Sequence, residues 1–272
     1  EDDLGSHFDM RDYHILSMDS VGGKVTDHGN ALDIKNVPWA GRQMWAPDAN
    51  EKDGKFYLFF PAKDHDGIFK IGVAVSDSPV GTFTPQQEAI KGSFSIDPAV
   101  YKDEDGSFYM YFGGIWGGQL QRWRTGVFNA SHPESPVAHL PEANEPALCA
   151  KVAKLTNDLL EFAEAPKDVI ILDEAGKPLL QGDTDRRFFE ASWMHKHNGK
   201  YYMQYGAPAT EFKGYANGVH VGNSPLGPFT YQKHNPMSYK PGGFVIGAGH
   251  GNTFADNYGN YWNTGTCKIS VK

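Results

Sequence analysis

Short apolar stretches that alternate with polar residues recur along the chain and predict β-strands, and no long stripe with the 3.6-residue spacing of a helix competes with them. Four stretches share one layout: a short strand, a polar turn ending in glycine, and an aromatic-rich alternating strand. This is the pattern of a β-hairpin. The four are WAPDANEKDGKFYLFFPA from Trp45, DPAVYKDEDGSFYMYFGG from Asp97, EASWMHKHNGKYYMQYGA from Glu190 and HGNTFADNYGNYWNTGT from His250.

A second element follows the hairpin in two of these repeats. It reads SPVGTF from Ser78 and SPLGPF from Ser224, and each copy comes after an alternating strand. A hairpin followed by such a strand and turn, with a period of roughly 50 residues or more, predicts antiparallel sheets repeated radially. We therefore expect an all-β protein, a five-bladed β-propeller that forms a single domain over residues 1–272.

The first and last blades of this propeller are expected to be incomplete. The first, within residues 13–44, lacks the aromatic hairpin that should precede its strands, and the last ends soon after its hairpin. A missing inner strand would leave ladder groups unpaired. We therefore expect an upstream segment or a partner chain to complete the first blade. The longest insertion covers residues 115–150, and loops of that size are usually functional.

Composition and charge narrow the classes of partner. The chain has 40% hydrophobic residues and no apolar run of about 18 residues, so no membrane span is expected. The net charge of −8 makes nucleic acid an unlikely partner, because phosphate binding needs a basic surface. Two cysteines, Cys149 and Cys267, are too few for a disulfide framework. The opening residues do not read as a signal peptide, which fits a cytoplasmic protein or a secreted one with its signal removed.

The four hairpins place chemically distinct residues at one equivalent position. Aligned on the turn glycines, the residue nine positions upstream is Trp45, Asp97, Glu190 or His250. The innermost strands of a propeller line a central channel, so these four side chains should converge at one end of it. An aromatic ring, two carboxyl groups and an imidazole are the parts needed to hold a sugar and cleave its glycosidic bond.

Each of these residues also has a structural interpretation. Asp97 begins an Asp-Pro pair, which is common turn chemistry. His250 lies between glycines and suits a structural histidine, and Trp45 suits the core. Glu190 is harder to explain structurally, because it stands in the apolar run FFEASWM, where an unpaired carboxylate is costly.

Four motifs together resemble glycoside hydrolase family 43, which comprises five-bladed propeller enzymes acting on xylose and arabinose polymers. They are WAPD at 45–48, SIDPAV at 95–100, FFEASW at 188–193 and GHGN at 249–252. The stretch HFDMRDYHILSMDS, followed by GRQMWAPDA, is similar to the branch with β-xylosidases and α-L-arabinofuranosidases. The resemblance implies an inverting exo-glycosidase for xylo- or arabino-oligosaccharides. The alternatives are a retaining fructan-type propeller glycosidase and a non-catalytic carbohydrate-binding propeller without a general base.

The resemblance also implies roles for single residues. Glu190 matches the general acid, and Asp97 matches the aspartate that modulates the pKa of that acid. His250 matches a histidine that commonly lies near a channel calcium ion and is a candidate for contact with the ion or the substrate. Trp45 and Trp116 are the expected aromatic walls of the sugar site.

The general base has no match in the sequence. In the family it is an aspartate in an A-D-P-type motif on the innermost strand of the first blade. Asp9 and Asp12 are expected to lie in a linker before the next strand, so neither is assigned this role. We therefore expect the base to come from an upstream segment or a partner chain.

Overall fold

The computed structural model describes residues 8–240 and 242–269. Strands dominate this part of the chain, and its helices are short 3-10 turns at Ile34–Asn36, Trp116–Gly118 and Leu120–Trp123. None of these helices has the length and apolar character needed to cross a membrane. The predicted all-β class is therefore confirmed. The strands are β1 (Asp12–Ser17), β2 (Thr26–Asp33), β3 (Ala40–Arg42), β4 (Asp48–Lys52), β5 (Lys55–Asp64), β6 (Phe69–Ser76), β7 (Thr84–Pro85), β8 (Ala99–Lys102), β9 (Phe108–Phe112), β10 (Lys151–Lys154), β11 (Lys167–Asp168), β12 (Ile171–Leu172), β13 (Glu190–His197), β14 (Lys200–Ala207), β15 (Ala216–Gly222), β16 (Phe229–Tyr231), β17 (Val245–Gly249), β18 (Thr253–Ala255), β19 (Tyr261–Asn263) and β20 (Thr266–Ile269).

The strands pair into sheets that follow the order of the chain. The first sheet is β1–β2, the second is β3–β5–β6–β7 with β4 also on β5, and the third is β8 to β11. The fourth sheet runs from β13 to β16 and adds β12 parallel to β16. The last strands form two small pairs, β17–β20 and β18–β19. One boundary differs from the sequence prediction: β3 lies in the predicted first blade, but it pairs with the far end of β5 and so belongs to the second sheet.

The four predicted hairpins are present as β4–β5, β8–β9, β13–β14 and β18–β19. Each turns at its predicted glycine, and these glycines have φ angles between +73° and +82°. A side chain is strained in this left-handed region, which explains why glycine recurs there. The glycines are Gly54, Gly106, Gly199 and Gly259.

The core lies between consecutive sheets, as the two faces of β5 show. Leu58 and Phe60 pack with residues of the first sheet, whereas Tyr57 and Phe59 pack with residues of the third. Because side chains alternate along a strand, a sheet covered on both faces needs apolar residues at successive positions. Another buried cluster joins the third sheet to the fourth. The sheets therefore stack face to face in chain order.

Polar contacts link the first strands of neighbouring hairpins. The Asp48 carboxylate accepts a hydrogen bond from the Val100 amide at 2.6 Å, and Asn50 donates to the Val100 carbonyl at 2.9 Å. Between the third and fourth hairpins, the Trp193 indole donates to the Thr253 carbonyl at 2.9 Å. Strand β4 thus lies beside β8, β8 beside β13 and β13 beside β18. This is the order expected for blades around an axis, while the count of five blades stays a prediction.

Arg122 organises the long insertion. The residue is 7% exposed, and its guanidinium donates to four main-chain carbonyls of the insertion, those of Asn129, Ser131, His132 and Ser135. The neighbouring Gln121 bonds both the amide and the carbonyl of Trp116 and also the Pro136 carbonyl. The insertion is therefore tied to the residue that the sequence predicts as a wall of the sugar site.

Candidate active site

A pocket of about 300 Å³ lies where the hairpins begin. Its lining includes every residue that the sequence singles out for the site, namely Trp45, Asp97, Trp116, Glu190 and His250. Phe8, Tyr13, Thr210 and Glu211 also line this pocket. The structure thus brings the five candidates together, and their roles stay predictions.

A second cavity of about 210 Å³ adjoins this pocket, since Asp97 and His250 line both. It is lined by the starts of all four hairpins, residues 46–48, 97–99, 191–193 and 250–252. The equivalent positions therefore do face a common space. A larger cleft of about 560 Å³ between Trp39 and Trp123 contains none of the five candidates, so its size does not make it the site.

A β-bulge sets the direction of Glu190. Glu190 opens β13 opposite Gly206, and the register then breaks before Trp193. Within the break, Ala191 has a left-handed φ of +65°. Bulges re-aim side chains next to active sites. Here the bulge turns Glu190 into the pocket, where its Oε1 accepts a hydrogen bond from the Tyr215 hydroxyl at 2.8 Å.

The surroundings of Glu190 favour its protonated form near neutral pH. Burial is the largest cause and the negative charge of Asp97 the second, and together they raise the pKa of Glu190 to about 7. Desolvation and a like charge both disfavour a second carboxylate in the same site. A carboxyl group with such a pKa can donate a proton at neutral pH.

Asp97 is bound to the residue that follows Glu190. Its Oδ2 accepts a hydrogen bond from the Ala191 amide at 3.0 Å, and the side chain is only 5% exposed. Burial raises the pKa of Asp97 to about 7. The His250 Nδ1 lies 4.0 Å from the same oxygen. Asp97 therefore contacts the strand of the acid on one side and faces the imidazole on the other.

Two tryptophans form neighbouring parts of the pocket wall. Trp45 packs against Phe69 with ring centroids 4.7 Å apart, and Trp116 meets Phe189 edge-on at 5.3 Å. Gly117 allows the chain next to Trp116 to lie close to the Trp45 ring, because a Cβ at this position would lie 3.1 Å from that ring. Aromatic rings with an apolar body suit the faces of sugar rings.

Sequence reasoning missed several residues of the pocket. Tyr215 does not line the pocket itself but hydrogen-bonds Glu190; it lies outside the four motifs, and nothing in its local sequence marks it as a partner of Glu190. Asp12 was expected in a linker, but it opens β1, lines the pocket and accepts a hydrogen bond from Asn30. That expectation was wrong because residues 12–17 pair with residues 26–33 in spite of weak apolar alternation.

The site as a whole combines aromatic walls with two buried carboxyl groups of raised pKa. Such a pocket can bind a neutral sugar ring, and it can protonate the oxygen of a glycosidic bond. Among the described residues that line it, there is no Lys or Arg that would select a phosphate.

Comparison with known proteins agrees with this chemistry. A xylosidase/arabinosidase from Bacteroides ovatus is 56% identical over 85% of this chain and 69% of its own length. A xylosidase/arabinosidase from Humicola insolens is 54% identical over 84% of this chain and 70% of its own length. A β-xylosidase/α-arabinofuranosidase from a compost microbial metagenome, solved with xylotriose in a calcium-free form, superposes with a TM-score of 0.85. It is 53% identical, and the match covers 97% of this chain and 76% of that one.

The family model described as glycosyl hydrolases family 43 matches residues 23–135 and 142–267, which include all five candidate residues. The chain therefore belongs to glycosyl hydrolase family 43.

Proposed function

We propose that the protein is an inverting exo-glycosidase that hydrolyses xylo- or arabino-oligosaccharides as a β-xylosidase, an α-L-arabinofuranosidase or both. The observation that carries the proposal is the placement of Glu190 beside Asp97 in a pocket walled by Trp45 and Trp116. The names of the Bacteroides and Humicola relatives support the same substrate class.

Glu190 is the general acid in this proposal. With its pKa raised to about 7, it can hold a proton near neutral pH and transfer it to the leaving oxygen as the glycosidic bond breaks. A water molecule attacks the anomeric carbon from the opposite face and loses its proton to a general base, so the configuration inverts.

Asp97 acts on Glu190 and does not take a proton from water. Its negative charge raises the pKa of Glu190, and its hydrogen bond to the Ala191 amide holds the bulge that aims the acid. These contacts fit the modulating role that the motif resemblance implies.

The general base of this reaction is proposed to come from an upstream segment or a partner chain. An inverting pair needs its carboxyl groups about 6.5–9.5 Å apart, with room for one water. Asp12 and Glu211 line the pocket, but neither stands in the A-D-P-type motif of the family. If residues 1–272 alone, verified by intact mass, hydrolyse an aryl glycoside in a Glu190-dependent way, the base lies within them, and Asp12→Asn and Glu211→Gln would then locate it.

A calcium ion in the channel is proposed as a structural ligand. His250 and Asp97 line the inner cavity and offer one imidazole and one carboxylate to a cation. Calcium prefers oxygen ligands. Among residues 8–240 and 242–269, no three His, Cys, Asp or Glu side chains are grouped to hold a metal. The residues therefore fit only a largely hydrated ion, whose charge would favour the ionised form of Asp97.

The test compares Glu190→Gln with the unmodified protein on two classes of xyloside and arabinofuranoside. Unactivated oligosaccharides need the proton, so turnover should fall by roughly 100-fold or more. Aryl glycosides with a strongly acidic leaving group need none, so their turnover should fall much less. Equal losses on both classes would remove Glu190 from the acid role.

Proton NMR of the first-formed sugar separates the proposed reaction from its alternatives. Inversion gives the anomer opposite to that of the substrate. A product with the configuration of the substrate would indicate the retaining fructan-type mechanism instead. Absence of turnover in a protein that includes the upstream segment or partner chain, together with measurable xylotriose binding, would favour the carbohydrate-binding interpretation.

A further inference from the structure

Tyr215 contacts the proposed acid from the loop that precedes β15. Its hydroxyl donates to Glu190 Oε1 at 2.8 Å, and the residue is only 1% exposed. Burial is the main cause that raises the pKa of the phenol well above its ordinary value, and the nearby Glu190 acts in the same direction. The tyrosine therefore stays neutral and keeps the proton that it donates.

Two glycines make the space for the Tyr215 ring. A Cβ on Gly249, at the end of β17, would lie 2.4 Å from the ring, and a Cβ on Gly206, opposite Glu190 in β14, would lie 2.8 Å from it. Real Cβ atoms do not approach other atoms so closely. Neither glycine has a positive φ, so the backbone conformation does not require glycine at these positions. The ring requires it.

We propose that Tyr215 is the positioning residue of the general acid, held against Glu190 by a slot whose walls are Gly206 and Gly249. Because Tyr215 occupies Oε1 as an acceptor, the proton of the acid resides on Oε2 and is directed from there to the glycosidic oxygen. This inference depends on the proposed glycosidase function, since it assigns Tyr215 a task in proton transfer.

The first test is Tyr215→Phe, which removes the hydroxyl and keeps the ring in its slot. We expect kcat on unactivated oligosaccharides to fall roughly 10-fold or more, because the acid loses its fixed orientation. The KM should stay unchanged, and kcat on aryl glycosides with acidic leaving groups should change less than about threefold. The matched control is Tyr205→Phe, which removes the hydroxyl of another buried tyrosine that donates to the Arg186 carbonyl at 2.7 Å.

Gly206→Ala provides a second variant in which every hydroxyl is retained. The added methyl group should displace the ring and reproduce the kinetic pattern of Tyr215→Phe. Gly214→Ala is its control, because a Cβ there meets nothing closer than 3.9 Å. The proposal would be overturned if Tyr215→Phe and Tyr205→Phe had the same kcat on both substrate classes. It would also be overturned if Tyr215→Phe lowered kcat equally on both classes.

An infrared measurement tests the contact without turnover. The carboxyl stretch of Glu190, assigned by subtracting the spectrum of Glu190→Gln at a pH where the group is protonated, should move to higher frequency in Tyr215→Phe. The band should stay in place in Tyr205→Phe. An unmoved band in Tyr215→Phe would refute the link to Glu190. A shifted band in a protein that includes the upstream segment or partner chain and still shows no turnover would refute the glycosidase function alone.

Discussion

Non-glycine residues with left-handed backbones surround the pocket. The φ angles are +57° at Asp97, +59° at Trp116, +65° at Ala191 and +41° at His250. Each such conformation costs on the order of 1–3 kcal/mol and persists only where neighbouring contacts hold it. The strain turns the side chains of Asp97, Trp116 and His250, and through Ala191 that of Glu190, towards one space. The backbone strain therefore helps to arrange the side chains of the site.

Asp97→Asn tests the electrostatic effect of Asp97 on the acid. A negative charge at Asp97 raises the pKa of Glu190, so its removal should lower that pKa from about 7. The acid would then lose its proton at lower pH, and the basic limb of the kcat/KM profile should move in the acidic direction. The rate should also fall, while an asparagine oxygen can still accept from the Ala191 amide.

Asp103→Asn is the control for this measurement, because Asp103 is a buried aspartate of the same hairpin that bonds Tyr201 and Lys196 outside the pocket. It should alter stability and leave the pH profile of the rate in place. A basic limb that stays fixed in Asp97→Asn would contradict the modulating role.

At the scale of elements, the hairpins could be predicted from the sequence, but the contacts between neighbouring hairpins could not. Turn glycines and alternating aromatic residues gave all four hairpins, because both signals are local. The hydrogen bond from the Val100 amide to Asp48 and the bulge at Ala191 are long-range features with no local signal. For the same reason the sequence predicted which residue types face the pocket but missed Tyr215, which reaches Glu190 from the loop that precedes β15.

Asp48 should make stability depend on pH. Burial raises the pKa of Asp48 to about 7, while the Val100 amide opposes this in part. A carboxyl group whose pKa is raised by folding stabilises the native state below about pH 4, and this contribution is lost as pH rises towards 7. Asp48→Asn should therefore show a smaller fall in melting temperature between pH 5 and 7.5 than the unmodified protein.

The control for Asp48 is Asp77→Asn, at an exposed aspartate that pairs with Lys55 and whose pKa is lowered instead. It should leave the slope of melting temperature against pH almost unchanged. Identical slopes for Asp48→Asn and the unmodified protein would show that Asp48 titrates normally in the folded chain.

Arg122→Lys should loosen the insertion. A lysine ammonium has three donors and cannot reach four carbonyls in the plane of a guanidinium, so buried carbonyls lose partners at about 1–3 kcal/mol each. We expect a lower urea midpoint, faster proteolysis within residues 124–140 and a higher KM, because Gln121 ties this loop to Trp116. Arg124→Lys, at a more exposed arginine paired with Glu145, should change none of these, and equal behaviour of the two variants would argue against the anchor.

For the whole molecule, the repeat predicted the order in which the sheets pack. The second sheet buries one face against the first sheet and the other against the third, so the apolar run of β5 follows from the stacking. The repeat could not show that β3 joins the second sheet, because a three-residue strand leaves no period to detect. The five-blade count and the single domain remain predictions.

Calcium binding would be a property of the whole channel, which several hairpins line. After chelation, added calcium should raise the melting temperature by about 2–4 °C for each kcal/mol of binding free energy, and magnesium should do so less. His250→Ala should weaken the response. If chelation and calcium leave the melting temperature of the unmodified protein unchanged, His250 contacts substrate or serves the structure alone.

The anchoring of the insertion by Arg122 has a consequence for how this enzyme can diversify. Within the described part of the chain, the guanidinium donates its hydrogen bonds to carbonyl oxygens, which every amino acid supplies, so the side chains of residues 129–135 can change without loss of the anchor. Mutations there can accumulate while the chain keeps its path. Residues 129–135 are therefore suited to sequence libraries that are screened for altered glycan preference, with Arg122 and Gln121 left unchanged.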